Sequence, residues 1–176
     1  MKLSTPTKAL FLAAVLLLLL FLIGDHFGFR TNSKEPPTYV MELDTAKIIR
    51  ITFEDRATTN NGFALKRRND GWERTDSADA GSDANALAKD LLIRFRSLKV
   101  KRDMGMIRLL GERYFLTDST LCHVTFTEYD GHIHALNLGS STFAPGKVGS
   151  WTYVNVPGER EVYSVEGLLT MGLRER

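Results

Sequence analysis

The sequence predicts an α+β fold: antiparallel β-hairpins with one long amphipathic helix and one or two short helices, preceded by a single transmembrane helix. Three observations carry that expectation. Several runs alternate apolar with polar residues and break at Asp-Gly or Pro-Gly pairs, a helical stripe follows residue 83, and an unbroken apolar run stands near the start.

The apolar run comes first. From Ala9 to Ile23 every residue is apolar, and no soluble fold needs so long a stretch that is greasy on all faces. Those residues reach about 22 Å at about 1.5 Å each, short of a hydrocarbon core of about 30 Å. Thr5 before Pro6 reads as an N-cap with proline at the first helical position, which extends the helix over residues 6–24. Pro6, Lys8, Leu16, Leu20 and Gly24 are therefore the candidate membrane-anchor residues, with the Lys8 stem running along apolar surface to the headgroups.

A secretory signal peptide also joins a positive start to an apolar middle. Cleavage needs small residues before the cut, whereas Leu22-Ile23-Gly24 and His26-Phe27-Gly28 each place a large one there. The segment is expected to be kept. Lys2, Lys8 and the amino terminus precede it without an acid, while Asp25, Arg30, Lys34 and Glu35 mix after it. The positive flank stays in the cytoplasm, so the expected location is the inner membrane, single-pass, with the C-terminal domain in the periplasm.

The expected organisation is a membrane helix at 1–24, a polar linker at 25–37 that ends in Pro36-Pro37, and an α+β domain at 38–176 large enough to bury a sizeable core. Of 23 Lys plus Arg and 21 Asp plus Glu, only Lys2, Lys8, Arg30 and Asp25 precede Thr31, so the remainder carries 20 of each sign. That balance removes the electrostatic case for nucleic acid as a partner. A single cysteine, Cys122, excludes a disulfide within the chain.

Within the domain, Lys47 to Glu54 places Ile49, Ile51 and Phe53 on one face and Arg50, Thr52 and Glu54 on the other, a half-buried strand. Phe63 and Leu65 alternate next, then Asn69-Asp70-Gly71 turns the chain and Trp72 opens the return strand. From Asp83 to about Lys99 the residues Leu87, Leu91, Phe95 and Leu98 recur at helical spacing, with Lys89 and Arg96 elsewhere, and Ser82 or Asp83 offers an N-cap. A second, shorter helix is expected over Met104 to Arg113. Two further hairpins are expected, one turning at Asp130-Gly131 and one at Pro157-Gly158, with a short helical tail around Leu168 to Leu173.

The blocks NDGW, SDANALAKDLLIRFRSLKV, RYFLTDS, EYDGHIHALNLG, YVNV and REVYSV resemble the successive blocks of domain-of-unknown-function family 4340, over nearly the whole outer part. The resemblance implies a bacterial envelope protein with an N-terminal membrane segment, some members standing beside ABC-type transporters linked to gliding motility. It implies no enzymatic activity and supplies no functional residues. Where the family tends to carry Tyr-Gly-Leu followed by proline, this chain has Tyr114-Phe115-Leu116 and Ser119, which implies a different local turn.

Chemistry-bearing motifs are sparse. His132 and His134 would share a strand face. With Asp130-Gly131 as a two-residue loop, however, Thr127 sits opposite His134 and His123 lies about 13 Å further along. The stretch from Gly139 to Gly149 has the look of a phosphate loop with the wrong spacing and Val148 where a hydroxyl is required. Phe143 and Trp151 flank it, either contacting a partner or completing the core. Arg94, Arg96, Lys99, Lys101 and Arg102 form a basic run that beside a membrane could contact anionic headgroups, but it falls at a helix C-terminus, where cations are favoured by the dipole, and a solvated face is expected. Cys122 is expected to be a buried structural thiol. No catalytic, cofactor-binding or metal-ligating residues are assigned, and no cofactor is expected.

The functional expectation is a non-enzymatic, membrane-anchored periplasmic accessory or interaction subunit of an envelope complex, associated with an ABC-type transporter. Its partners would be the membrane and other envelope or transporter proteins. The alternatives are a periplasmic ligand-binding sensor and an envelope enzyme whose site the sequence does not reveal.

Overall fold

The computed structural model describes residues 14–15, 36–57, 61–75, 83–143, 149–171 and 173. The chain divides into one unit at Met1–Glu35 and a second at Pro36–Arg176. The expected anchor residues Pro6, Lys8, Leu16, Leu20 and Gly24 lie outside the described residues; within that segment only Ala14 and Val15 are described, and both are helical. Among the described residues no helix is long and apolar enough to cross a membrane.

The second unit is dominated by one antiparallel sheet. Its strands are β1 (Tyr39–Glu42), β2 (Ile48–Asp55), β3 (Asn61–Arg68), β4 (Gly71–Arg74), β5 (Ser97–Met106), β6 (Cys122–Glu128), β7 (Ile133–Phe143), β8 (Ser150–Asn155) and β9 (Glu161–Glu166). They lie in the order β1-β5-β9-β8-β7-β6-β2-β3-β4. Among the described residues two short helices interrupt them, α1 (Ala84–Phe95) and α2 (Ile107–Leu110). Helix α1 carries the chain from β4 at one edge of the sheet to β5, next to the other edge.

This architecture corrects the expected balance of helix and sheet. The long helix expected over Asp83 to Lys99 has 12 residues and ends at Phe95. Leu98 satisfies helical spacing after Phe95, but it also starts an alternation with Val100, and strand pairing wins: β5 takes β1 on one side and β9 on the other. The helix expected over Met104 to Arg113 shrinks to Ile107–Leu110, because Met104 to Met106 continue β5. Residues 168–173, expected to form a helical tail, hold only turns among those described, with Leu169 and Leu173 buried in the core. β1, absent from the sequence reading, closes one edge of the sheet.

Helix α1 forms where Asp83 caps it: the carboxylate accepts from the amides of Asn85 and Ala86, each at 3.1 Å, worth about 1 kcal/mol. Its buried residues Leu87, Ala88, Leu91 and Phe95 face the sheet, and the Phe95 ring lies 5.3 Å from that of Phe126 on β6. The same core takes Ile51 and Phe53 from β2, Phe63 and Leu65 from β3, and Leu136 and Leu138 from β7. Each such side chain removed from water contributes roughly 1.5–3 kcal/mol.

Two register details depart from simple alternation. In β2 the pairing with β6 shifts between Ile48 and Arg50, so Ile48 is fully buried and Ile49 is turned outward. A bulge adds one residue to a strand and exchanges the faces on one side of it. In the β6–β7 hairpin Thr127 faces Ile133 and Phe126 faces His134. The chain turns through Tyr129, Asp130 and Gly131, with the Glu128 amide donating to the His132 carbonyl at 2.8 Å and Gly131 at φ +89°. That three-residue loop replaces the expected two-residue one and displaces the register by one position.

The opposite side of the sheet carries a smaller cluster. Tyr114 and Leu116 pack with Val162 of β9, joined by Ile107, Leu110, Met104 and Tyr153. The Tyr114 ring stacks on Tyr153 at 4.0 Å. This segment lies so close to β7 that a Cβ on Gly139 would collide with the Tyr114 carbonyl and the Leu116 side chain.

Candidate functional site

One groove of about 400 Å³ opens where three parts of the sheet unit meet. Helix α1 lines it with Asn85, Lys89, Leu92 and Ile93, and its C-cap with Arg96, a stripe adjacent to the one the helix buries. The turn between β1 and β2 adds Thr45 and Ala46, and the β3–β4 hairpin adds Arg67 and Trp72. Spacings of four, three, one and three put the helical members on one face.

Local bonds hold the walls in register. The Asn85 side-chain oxygen accepts from the Trp72 amide at 2.7 Å, fastening the hairpin to the first turn of α1. Gly71 permits that closeness: its φ is +139°, and a Cβ there would lie 2.5 Å from the Asn85 oxygen. The Arg67 guanidinium donates to the Ala46 carbonyl at 2.9 Å and so ties the β1–β2 turn to β3.

The floor is apolar and the rim is cationic. Trp72 and Leu92 are half-buried against the core, and Ile93 is 67% exposed. Among the described residues no ion pair joins Arg67, Lys89 or Arg96 to an acid; Asp90, the acid next to Lys89, instead pairs with Arg94 at 2.8 Å. The charged lining residues are all positive, with the Asp44 carboxylate beside the wall at the Ala46 amide (3.2 Å) and paired with Lys47, and low-dielectric walls beside such an excess favour an anion. Chemically the arrangement suits a ligand that is both apolar and negatively charged.

No family model matches the chain, and no curated protein or solved structure matches it. The resemblance to domain-of-unknown-function family 4340 therefore rests on the sequence blocks, and the site on its own geometry.

The residues singled out in the sequence fall in different places. The three histidines are split between the two sheet faces. His123 donates from Nδ1 to the Asn137 side-chain oxygen at 2.8 Å, and Asn137 donates on to Asn155 at 3.2 Å, a polar row across β6, β7 and β8. His134 is on the core side, its Nε2 2.9 Å from a Glu128 carboxylate oxygen, with the His132 ring edge-on at 4.6 Å. Among the described residues no group of three His, Cys, Asp or Glu side chains could hold a metal ion. Cys122 is fully buried, its thiol 3.7 Å from an Asp55 carboxylate oxygen on β2.

The basic run is also dispersed. Arg94 pairs with Asp90, Lys101 pairs with Glu166 at 3.0 Å, and Lys99 stands over the Tyr39 ring at 5.5 Å. Only Arg96 reaches the groove. Residues Gly139 to Phe143 of the phosphate-loop look-alike belong to β7, and residues 144–148 lie outside the described residues. Phe143 is 71% exposed and does not complete the core, while Trp151 is half-buried on β8.

The groove itself was missed in the sequence reading, although it left a signal. Leu92 at the margin of the stripe of Leu87, Leu91 and Phe95 and Ile93 outside it give α1 more apolar surface than its core contact uses. Lys89 and Arg96 bracket that excess. The contributions of Thr45, Arg67 and Trp72 depend on how distant segments meet, which spacing does not encode.

Proposed function

We propose that this chain is a non-enzymatic, membrane-anchored periplasmic subunit that engages other envelope proteins, in the setting of an ABC-type transporter. The observation that carries the reading is the groove: apolar floor, three cations without acidic partners among the described residues, in a chain formally neutral beyond residue 30. A local excess of one sign within a neutral domain speaks for a particular partner rather than for diffuse attraction. The all-apolar run from Ala9 to Ile23, its positive flank and the resemblance to a family of envelope proteins support the membrane setting. A tether of residues 25–37 keeps the domain near the bilayer and raises its effective concentration for membrane partners.

The test is affinity purification of the full chain from native membranes in mild detergent, with intact-mass analysis. The expected result is an uncleaved amino terminus and a stoichiometric membrane protein that co-purifies reproducibly. Recovery of monomer alone, or of a chain starting between Gly24 and Phe29 without a partner, overturns the reading.

A further inference from the structure

We infer that the groove is a docking site for an acidic, apolar peptide segment of a partner protein, an inference that rests on the interaction-subunit reading above. Three features define the occupant. Arg67 comes from β3, Lys89 from α1 and Arg96 from the residue that follows α1, so the cations stand on separate elements rather than at one point. They match carboxylates placed on both sides of an apolar side chain. Trp72, Leu92 and Ile93 offer that side chain a surface from which water is displaced.

Size and position narrow the choice further. A groove of about 400 Å³ holds one or two side chains rather than a folded surface. Lys89 and Arg96 stand seven residues apart, about 10 Å along a helix axis. A single headgroup phosphate meets one of these charges at a time, whereas carboxylates roughly two or three residues apart on an extended peptide meet both. The observations favour the peptide.

The experiment uses the full chain in a nonionic detergent and a short labelled peptide that alternates leucine with glutamate, followed by fluorescence anisotropy. A peptide with lysine in place of glutamate and vesicles of phosphatidylglycerol are the comparison probes. Saturable binding of the acidic peptide is expected, with none of the lysine peptide. Affinity should fall about tenfold in Lys89→Glu and in Arg96→Glu, and less than about twofold in the control Arg102→Glu on β5. Ile93→Ala, at a side chain already exposed, should leave thermal unfolding unchanged and weaken binding about threefold. Raising the salt to 1 M, where the Debye length falls to about 3 Å, should remove most of the affinity.

The inference is overturned by failure of the acidic peptide to bind, by equal binding of both peptides, by an equal loss in Arg102→Glu, or by displacement of the peptide by phosphatidylglycerol vesicles. Native purification separates the two proposals. A membrane partner retained undiminished by Lys89→Glu leaves the subunit reading standing and removes the groove. Peptide binding without any native partner does the reverse.

Discussion

The two faces of the sheet are covered by different means. On one, α1 lays four buried side chains across a continuous core that draws on both halves of the strand order. On the other, the segment from Ile107 to Leu116 covers part of the surface by packing Tyr114 and Leu116 on Val162 of β9, while His123, Asn137 and Asn155 form a polar row. The difference teaches where stability resides. The first face is held by area removed from water; the second is held by close approach at a few points, above all at Gly139.

The strongest way to test that contrast is Phe126→Ala. Phe126 is fully buried, touches the Phe95 ring and sits at the middle of β6 between β2 and β7. Its truncation should cost about 3–5 kcal/mol, read as a lower urea midpoint. Hydrogen-exchange protection should fall throughout the sheet and α1 together, because they share one core. Loss confined to β6 would break the picture of a single cooperative unit.

Gly139→Ala addresses the other face and should cost less, about 1–3 kcal/mol, through overpacking. The added methyl must push away the Tyr114 carbonyl, which accepts from the Ser140 amide at 2.7 Å. Exchange should quicken at the amides of Tyr114 and Leu116, bonded to the Leu110 and Gly111 carbonyls at 3.0 and 2.8 Å. The amides of Ile51 and Phe53 should stay protected. Equal loss at both sets would mean that the smaller cluster is not separable from the core.

The same contrast explains what the sequence made legible. The hairpin turns were visible because Gly71, Gly131 and Gly158 take positive φ at breaks in alternation. The main core was visible where alternation is unbroken, as at Phe63 and Leu65 or Val124 and Phe126. What escaped was set by contact between distant segments. The bulge at Ile49 turned that residue outward and buried Ile48 while Ile51 and Phe53 kept the expected face, the three-residue loop moved His134 to the core side, and Leu98 left its helix to pair in β5. Of the groove, only the α1 stripe could be read locally. The smaller cluster escaped entirely, since Tyr114 and Leu116 are joined to Val162 by closure over nearly fifty residues of chain.

The smallest effect sharpens the edge between the two regions and appears only in alkali. Tyr163 on β9 belongs to the main core, yet it pairs with Asp103 across β5 and lies near the carboxylates that follow the Pro157-Gly158 turn. Burial first, then the charges of Glu159, Glu161 and Asp103, hold its phenol above the ordinary tyrosine range. All four causes oppose the phenolate, so the folded state holds the proton more tightly than the unfolded chain does. The stability linked to it is thus fully present below the unfolded value of about 10 and is lost as pH rises through the folded value. Tyr163→Phe removes the ionisation while keeping the ring. Between pH 7 and 9 the urea midpoints of the two proteins should run parallel. Above about pH 10 the native protein should fall more steeply than Tyr163→Phe, whose remaining tyrosines and lysines supply the shared background. Parallel curves up to pH 12 would mean that the phenol meets water and that the core ends short of β9.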